Sequence, residues 1–252
     1  MLRVLTGRLE DRQEAWTGLW ALRVVVPDLG PVAPGQFVLA GGAAQPDRLL
    51  LEPMIPFGVD PAGLLELLPA LPLTGHRVTE RWMVGAEVRL VGPAGRSFQI
   101  DGRSRRVLAV GAGSGCGALL LLARTLIDRG VEMTFIGMDA AEVAPMPGIL
   151  LPPEVEYLLA TGGQQRLLQA IEEVLPWADQ LVLALPRPLL EPVVGLLRRR
   201  LLRLRKGFAQ ALLAPGLLPC GVGACDLCTV PTRDGYRRLC RDGLVFDLLS
   251  LV

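Results

Sequence analysis

LPCGVGACDLCTVPTRDGYRRLCRDGLVFD, residues Leu218 to Asp247, holds four of the chain's five cysteines. Cys220, Cys225, Cys228 and Cys240 follow the spacing C-x4-C-x2-C-x11-C. A [2Fe–2S] cluster needs four thiolates converging on two irons, and C-x4-C-x2-C with a distant fourth cysteine is a spacing that supplies them. Structural zinc is the alternative. Zinc sites usually pair their cysteines twice at close spacing, whereas here one C-x2-C pair is joined to a wider C-x4-C. Gly221 and Gly223 between the first two cysteines give a loop the backbone freedom to wrap a cluster and turn N–H groups toward sulfur. Cys116, the fifth cysteine, stands alone and reads as a small buried side chain.

Working outward, the N-terminal MLRVLTGRLEDRQ carries charges at short intervals and has no apolar signal core. A cytoplasmic location is therefore expected, and in a reducing compartment clustered cysteines bind metal more often than they form disulfides. The chain has 252 residues, of which 51% are apolar, and its mean hydropathy is +0.41. The best candidate for a span, Val107 to Ala123, runs VLAVGAGSGCGALLLLA without a charge. Its alternating glycines break what would otherwise be a short apolar run, and a spanning helix wants about 20 apolar residues. It reads as strand, loop and helix, so no membrane span is expected. A net charge of +1 gives no overall electrostatic footprint for nucleic acid.

The first hundred residues read as β: WTGLWALRVVVP, GQFVLA after a Pro-Gly turn signal, and the alternating GAEVRLVGPAG. Short strands at this spacing suggest an antiparallel barrel, with a short helix expected around Ala62 to Leu68. From Arg106 the pattern becomes strand, glycine loop, leucine-rich helix, strand, and continues to alternate through QRLLQAIEEVL, QLVLAL and a helix from about Pro188 to Lys206. That alternation predicts a parallel sheet covered by helices. The reading divides the chain into a β-barrel at 1–103, an α/β unit at 104–207 and a cysteine segment at 208–252.

CGVGACDLC followed by YRRLCRDGLVFD resembles the C-terminal signature of the electron-transfer subunits of dihydroorotate dehydrogenase, iron–sulfur flavoproteins of the ferredoxin reductase-like superfamily. PGQFV at Pro34, GPAG at Gly92 and VLAVGAGSG at Val107 fall where such proteins have similar segments, so the resemblance covers nearly the whole chain. It implies an antiparallel flavin-binding barrel, a parallel-sheet pyridine-nucleotide domain and a C-terminal [2Fe–2S] segment. It also implies a hetero-oligomer in which FAD passes electrons between the cluster and NAD, while a partner subunit bearing FMN oxidises dihydroorotate. The four cysteines carry over residue by residue. The family's Arg-Pro-x-Ser flavin motif corresponds to EPMI, Glu52 to Ile55, where only Pro53 matches and a carboxylate replaces the phosphate-pairing arginine. Arg48 is a nearby substitute. The family's Gly-Thr element corresponds to Gly75-His76, which carries the chain's one histidine.

Gly111, Gly113 and Gly115, with Gly117, form an alternating run rather than G-x-G-x-x-G, a pattern that serves a phosphate at a helix start or merely a tight strand-to-helix turn. The family's Cys-Gly-Pro-x-Pro run beside nicotinamide corresponds to ALPRP, Ala184 to Pro188, in which leucine replaces glycine. These departures predict that FAD is weakly held or absent, and NAD likewise. Two partner-facing features are expected: an apolar rim around the cluster from Leu217, Leu218, Leu244 and Phe246, and steering by the arginines of LLRRRLLRLRKG, Leu196 to Gly207. The reading is thus an electron-transfer subunit without substrate chemistry of its own. The alternatives are a flavin-less pseudo-reductase with a structural or assembly role, and a zinc-stabilised binding module.

Overall fold

The computed structural model describes residues 3–42, 51–60, 62–70, 82–140, 143–201, 205–216 and 218–251. Six strands, β1 (Val4–Trp16), β2 (Leu19–Val25), β3 (Phe37–Gly42), β4 (Glu52–Val59), β5 (Leu64–Pro69) and β6 (Glu87–Ala94), close an antiparallel barrel in the order β1-β2-β5-β4-β3-β6. β6 shows the pattern that builds it: Val88 and Leu90 point into the barrel while Glu87 and Arg89 point out. The helix expected around Ala62 to Leu68 is instead β5, which pairs with β2 and β4. A short apolar run carries no decisive period, and pairing on both sides settles it as strand.

β4 departs from the alternating pattern. Every residue from Pro53 to Gly58 is buried. Met54 faces the barrel interior, whereas Ile55 and Phe57 on the outer face join a second core shared with the rest of the molecule.

The second unit is a sheet in the order β14-β11-β10-β7-β8-β9. β7 (Arg106–Ala112), β8 (Glu132–Met138), β9 (Glu156–Leu159), β10 (Gln180–Ala184) and β11 (Ala209–Leu212) run parallel. They are connected through α1 (Gly115–Ile127), α2 (Gln164–Val174) and α3 (Arg187–Arg200). Burial on both faces explains the unbroken apolar runs of β7, β8 and β10. The cysteine segment contributes β12 (Thr229–Thr232) and β13 (Gly235–Arg238), which form a hairpin, then α4 (Leu239–Asp242) and β14 (Val245–Asp247). β14 returns to the main sheet as an antiparallel edge strand on β11. The segment is therefore woven into the α/β sheet and not simply appended to it.

Two buried glutamines fasten the connection between barrel and sheet. Gln210 on β11 accepts from the Gln99 N–H at 2.8 Å and donates to the Gln99 carbonyl at 2.6 Å, the pair of bonds a neighbouring strand would make. Gln180 on β10 accepts from the Asp101 N–H at 2.7 Å and the Ser104 hydroxyl at 2.8 Å, and donates to the Gly207 carbonyl at 2.7 Å. Buried backbone groups need partners, and these amides supply them along an irregular stretch.

Among the described residues no helix is long and apolar enough to cross a membrane.

Candidate metal centre

The four cysteines meet beyond the C-terminal end of β11, in the loop, hairpin and α4 turn before β14. Cys220 and Cys225 have their sulfurs 3.4 Å apart, and Cys228 and Cys240 have theirs 3.3 Å apart. All five cysteines are free thiols. Among the described residues no three His, Cys, Asp or Glu side chains converge on a single ion site. Two pairs of sulfurs suit two metal ions taking two protein thiolates each, which is the demand of a [2Fe–2S] cluster. A single structural zinc wants four ligands around one ion. A tetrahedral metal with arms of about 2.3 Å spaces its sulfurs about 3.8 Å apart, so the two pairs need to open by only about 0.4 and about 0.5 Å.

Local sequence explains how the loop reaches this arrangement. Gly221, Gly223 and Asp226 take positive φ of 64°, 77° and 56°, a region open to glycine and tolerated by aspartate. With the chain so turned, the Gly223 N–H donates to the Cys240 sulfur at 3.1 Å and the Ala224 N–H to the Cys220 sulfur at 3.3 Å. Backbone N–H groups of Cys225, Val222 and Ala224 favour the Cys220 thiolate and bring its pKa down to about 6. Burial pushes Cys240 up to about 12, aided by its hydrogen bond with Cys228. Cys220 is thus favoured as thiolate in the outer pair, and Cys228 and Cys240 lie in the interior. Asp226 and Arg238 form an ion pair that ties the loop to the base of the hairpin, and the Leu239 N–H donates to the Cys228 carbonyl at 3.1 Å.

The surroundings correct the expected rim. Leu218 and Leu244 are buried and pack inward, and Phe246 is only partly exposed. Leu217 lies outside the described residues. Among the described residues, the exposed apolar side chains of the cysteine loop are Val222 and Leu227, with relative exposures of 61% and 62%, and Tyr236 on the β12–β13 hairpin is 78% exposed. The arginines expected to steer a partner lie on α3. α3 runs back to the edge of the sheet where β11 begins, while the cysteines lie beyond the edge where β11 ends, so Arg198 and Arg199 are remote from them. Arg200 pairs with Glu172 of α2.

The flavin and nucleotide positions fare differently. Gly75, His76 and Arg48 lie outside the described residues. Pro53 is buried on β4. Gly111, Gly113 and Gly115 do come together at the turn from β7 into α1, at the crevice where the strand order reverses between β7 and β10. Each has a packing reason. A Cβ on Gly111 would sit 2.9 Å from the Cys116 sulfur, and one on Gly115 would sit 3.0 Å from the Ala184 carbonyl oxygen at the end of β10. Gly113 has φ of 56°. Ser114, at the start of α1, makes no side-chain capping bond. Leu185, where the family has glycine, is buried. Cys116 is fully buried, and burial pushes its thiol up to about 12, as befits a packing residue.

Sequence reasoning missed Gln180, Gln210, Asp226 and Arg238. The glutamines had a signal: an amide inside the apolar runs QLVLAL and AQALLA must find buried partners.

A closed barrel beside a parallel α/β sheet, with paired cysteines at the sheet's C-terminal end, defines the ferredoxin reductase-like fold class, here with a C-terminal cysteine module. An NADH-dependent reduced ferredoxin-NADP oxidoreductase shares the fold with a TM-score of 0.80 at 19% identity, over 98% of this chain and 89% of that one. The ferredoxin reductase of carbazole 1,9a-dioxygenase does so at 0.67 and 20% identity, over 80% and 67%. Within that class, residues 217–251 match the iron–sulfur cluster binding domain of dihydroorotate dehydrogenase B. The chain is 24% identical, over 97% of its length and 96% of the relative's, to the dihydroorotate dehydrogenase B (NAD(+)) electron transfer subunit of Clostridium perfringens. It is 29% identical to the corresponding subunit of Geobacillus thermodenitrificans over 84% of each chain.

Proposed function

We propose that this chain is an electron-transfer subunit in which Cys220, Cys225, Cys228 and Cys240 hold one [2Fe–2S] cluster. It serves as a relay between a partner oxidoreductase and a flavin or NAD acceptor. The partner is a catalytic subunit that bears FMN and oxidises dihydroorotate, and the two form a hetero-oligomer in the cytoplasm. The observation that carries the reading is the arrangement of four cysteines as two sulfur pairs, one toward the surface and one in the interior. Such a cluster, when bound, supplies one-electron chemistry.

The chain's own residues set the conditions for it. N–H groups of Val222, Gly223, Ala224 and Cys225 point at sulfur and stabilise negative charge there. Leu218, Leu239 and Leu244 are buried beside the inner pair and exclude water from it. Cys225 is exposed, with exposed Val222 and Leu227 within three residues of it along the loop, a face suited to a partner that brings its redox group close. The sequence division into 1–103, 104–207 and 208–252 serves as the working domain plan.

The test is anaerobic co-purification from native cells. A dihydroorotate-oxidising subunit should come with the chain, and dihydroorotate should bleach the cluster's visible absorption only when that subunit is present. Recovery of the chain alone, with a cluster that dihydroorotate and partner together leave oxidised, would reject the assignment.

A further inference from the structure

The flavin motif of the resembling family falls at Glu52 to Ile55 on β4, and in this chain the outer face of β4 and its neighbour β5 is covered by protein. On a barrel strand the outward side chains should be open to solvent or to a ligand. Ile55 is 1% exposed, Leu68 is 0% exposed and Phe57 is 7% exposed. What covers them is α1. A Cβ on Gly117, in the first turn of α1, would lie 2.7 Å from Leu68 Cδ1 and 3.0 Å from Phe57 Cβ, so the helix backbone rests directly on the two strands. Further along α1, Arg124 donates through Nη1 to the Phe57 carbonyl at 3.2 Å. On the β3 side, Gly221 of the cysteine loop sits so close to Leu39 that a Cβ there would be 2.6 Å from Leu39 Cδ1. Leu39, Ile55, Phe57 and Leu68 belong to one apolar core with Cys116, Leu119 and Leu120 of α1 and with Leu218, Cys228 and Cys240 of the cysteine module. An isoalloxazine ring inserted between two surfaces holds them two carbon contacts apart, each of roughly 3.5–4.0 Å, and direct van der Waals contact between β4–β5 and α1 leaves no such gap at Gly117. Among the described residues, those on this face do not fit a flavin.

We propose that the seam formed by Ile55, Phe57 and Leu68 against α1 takes the place that a flavin holds in the resembling family, so that this chain carries no FAD and the iron–sulfur cluster is its sole redox group. Glycine at 117 is what lets the helix close on the strands, and the apolar seam joins barrel to sheet without a cofactor between them. Electrons that reach the cluster then arrive and depart through contacts with other proteins. The inference rests on the electron-transfer reading above but concerns a different group, so the two fail separately.

The experiment uses the full chain, isolated anaerobically from riboflavin-replete cells and incubated with excess FAD. After desalting, iron, sulfide and acid-released flavin are measured on the same sample, and thermal melting is recorded with and without FAD. Iron and sulfide should remain with the protein, flavin should fall to background, and FAD should leave the melting temperature unchanged. Flavin retained in step with iron, or a melting temperature raised by FAD, would overturn the proposal while leaving the relay intact. Loss of iron and sulfide with flavin at background would remove the relay reading and leave the closed seam standing.

Discussion

Cys225 and Cys116 show how far residue type alone carries function. Cys225 is an exposed thiol within 3.4 Å of Cys220, whereas Cys116 is buried beneath Gly111 with no sulfur partner. Cys225→Ser should therefore abolish or shift the cluster's visible absorption, and Cys116→Ala should leave it as it is; both are read from the spectrum of anaerobically purified protein. Gln210→Ala tests the other buried polar contact. It strands the N–H of Gln99 and leaves its carbonyl with the Gln180 amide at 3.3 Å, and the loss should be about 1–3 kcal/mol for an unsatisfied buried group, measured by urea unfolding. The pairing of the cysteines was legible because a spacing of the kind that cluster thiolates follow survives as a pattern in one dimension. The apolar rim was not. In an irregular loop no period says which leucines face inward, and Leu218 and Leu244 went to the core while Val222 and Leu227 stayed outside.

Elements make the same point one level up. AGLLELLPA reads equally as a turn of helix or as a strand, and its partners β2 and β4, distant in sequence, decide it. β14 is three residues long, too short for any pattern to announce its return to β11. The alternation of β7, α1 and β8, by contrast, was plain because long buried strands and a leucine-rich helix each leave a period or a run. Two predictions belong to this scale. Leu68→Ala removes a fully buried side chain from the β5–α1 seam and should cost about 2–5 kcal/mol of stability, again by urea titration, with no change in iron content. Arg198→Glu with Arg199→Glu, at the far edge of the sheet, should leave partner affinity unchanged, whereas Tyr236→Glu on the exposed face of the β12–β13 hairpin should weaken it. Surface plasmon resonance against the co-purified partner distinguishes the two. Equal loss in both variants would place the docking face elsewhere.

For the whole molecule, barrel, sheet and cysteine module share one continuous apolar core. Gly95 and Gly243 bring barrel and module so close that a Cβ on Gly243 would lie 2.5 Å from the Arg96 nitrogen. The order of the three parts could be read from the change of period near Arg106 and from the cysteine spacing. Their mutual closure could not, because it depends on which outward faces find each other. That closure holds the two sulfur pairs at one end of the sheet, with Cys225 at the surface and Cys240 in the interior. The most direct test is elemental and spectroscopic analysis of the full chain isolated anaerobically. The two-pair geometry predicts about two irons and about two acid-labile sulfides per chain, with visible absorption that bleaches on reduction. About one zinc per chain, with no sulfide and no colour, would contradict it.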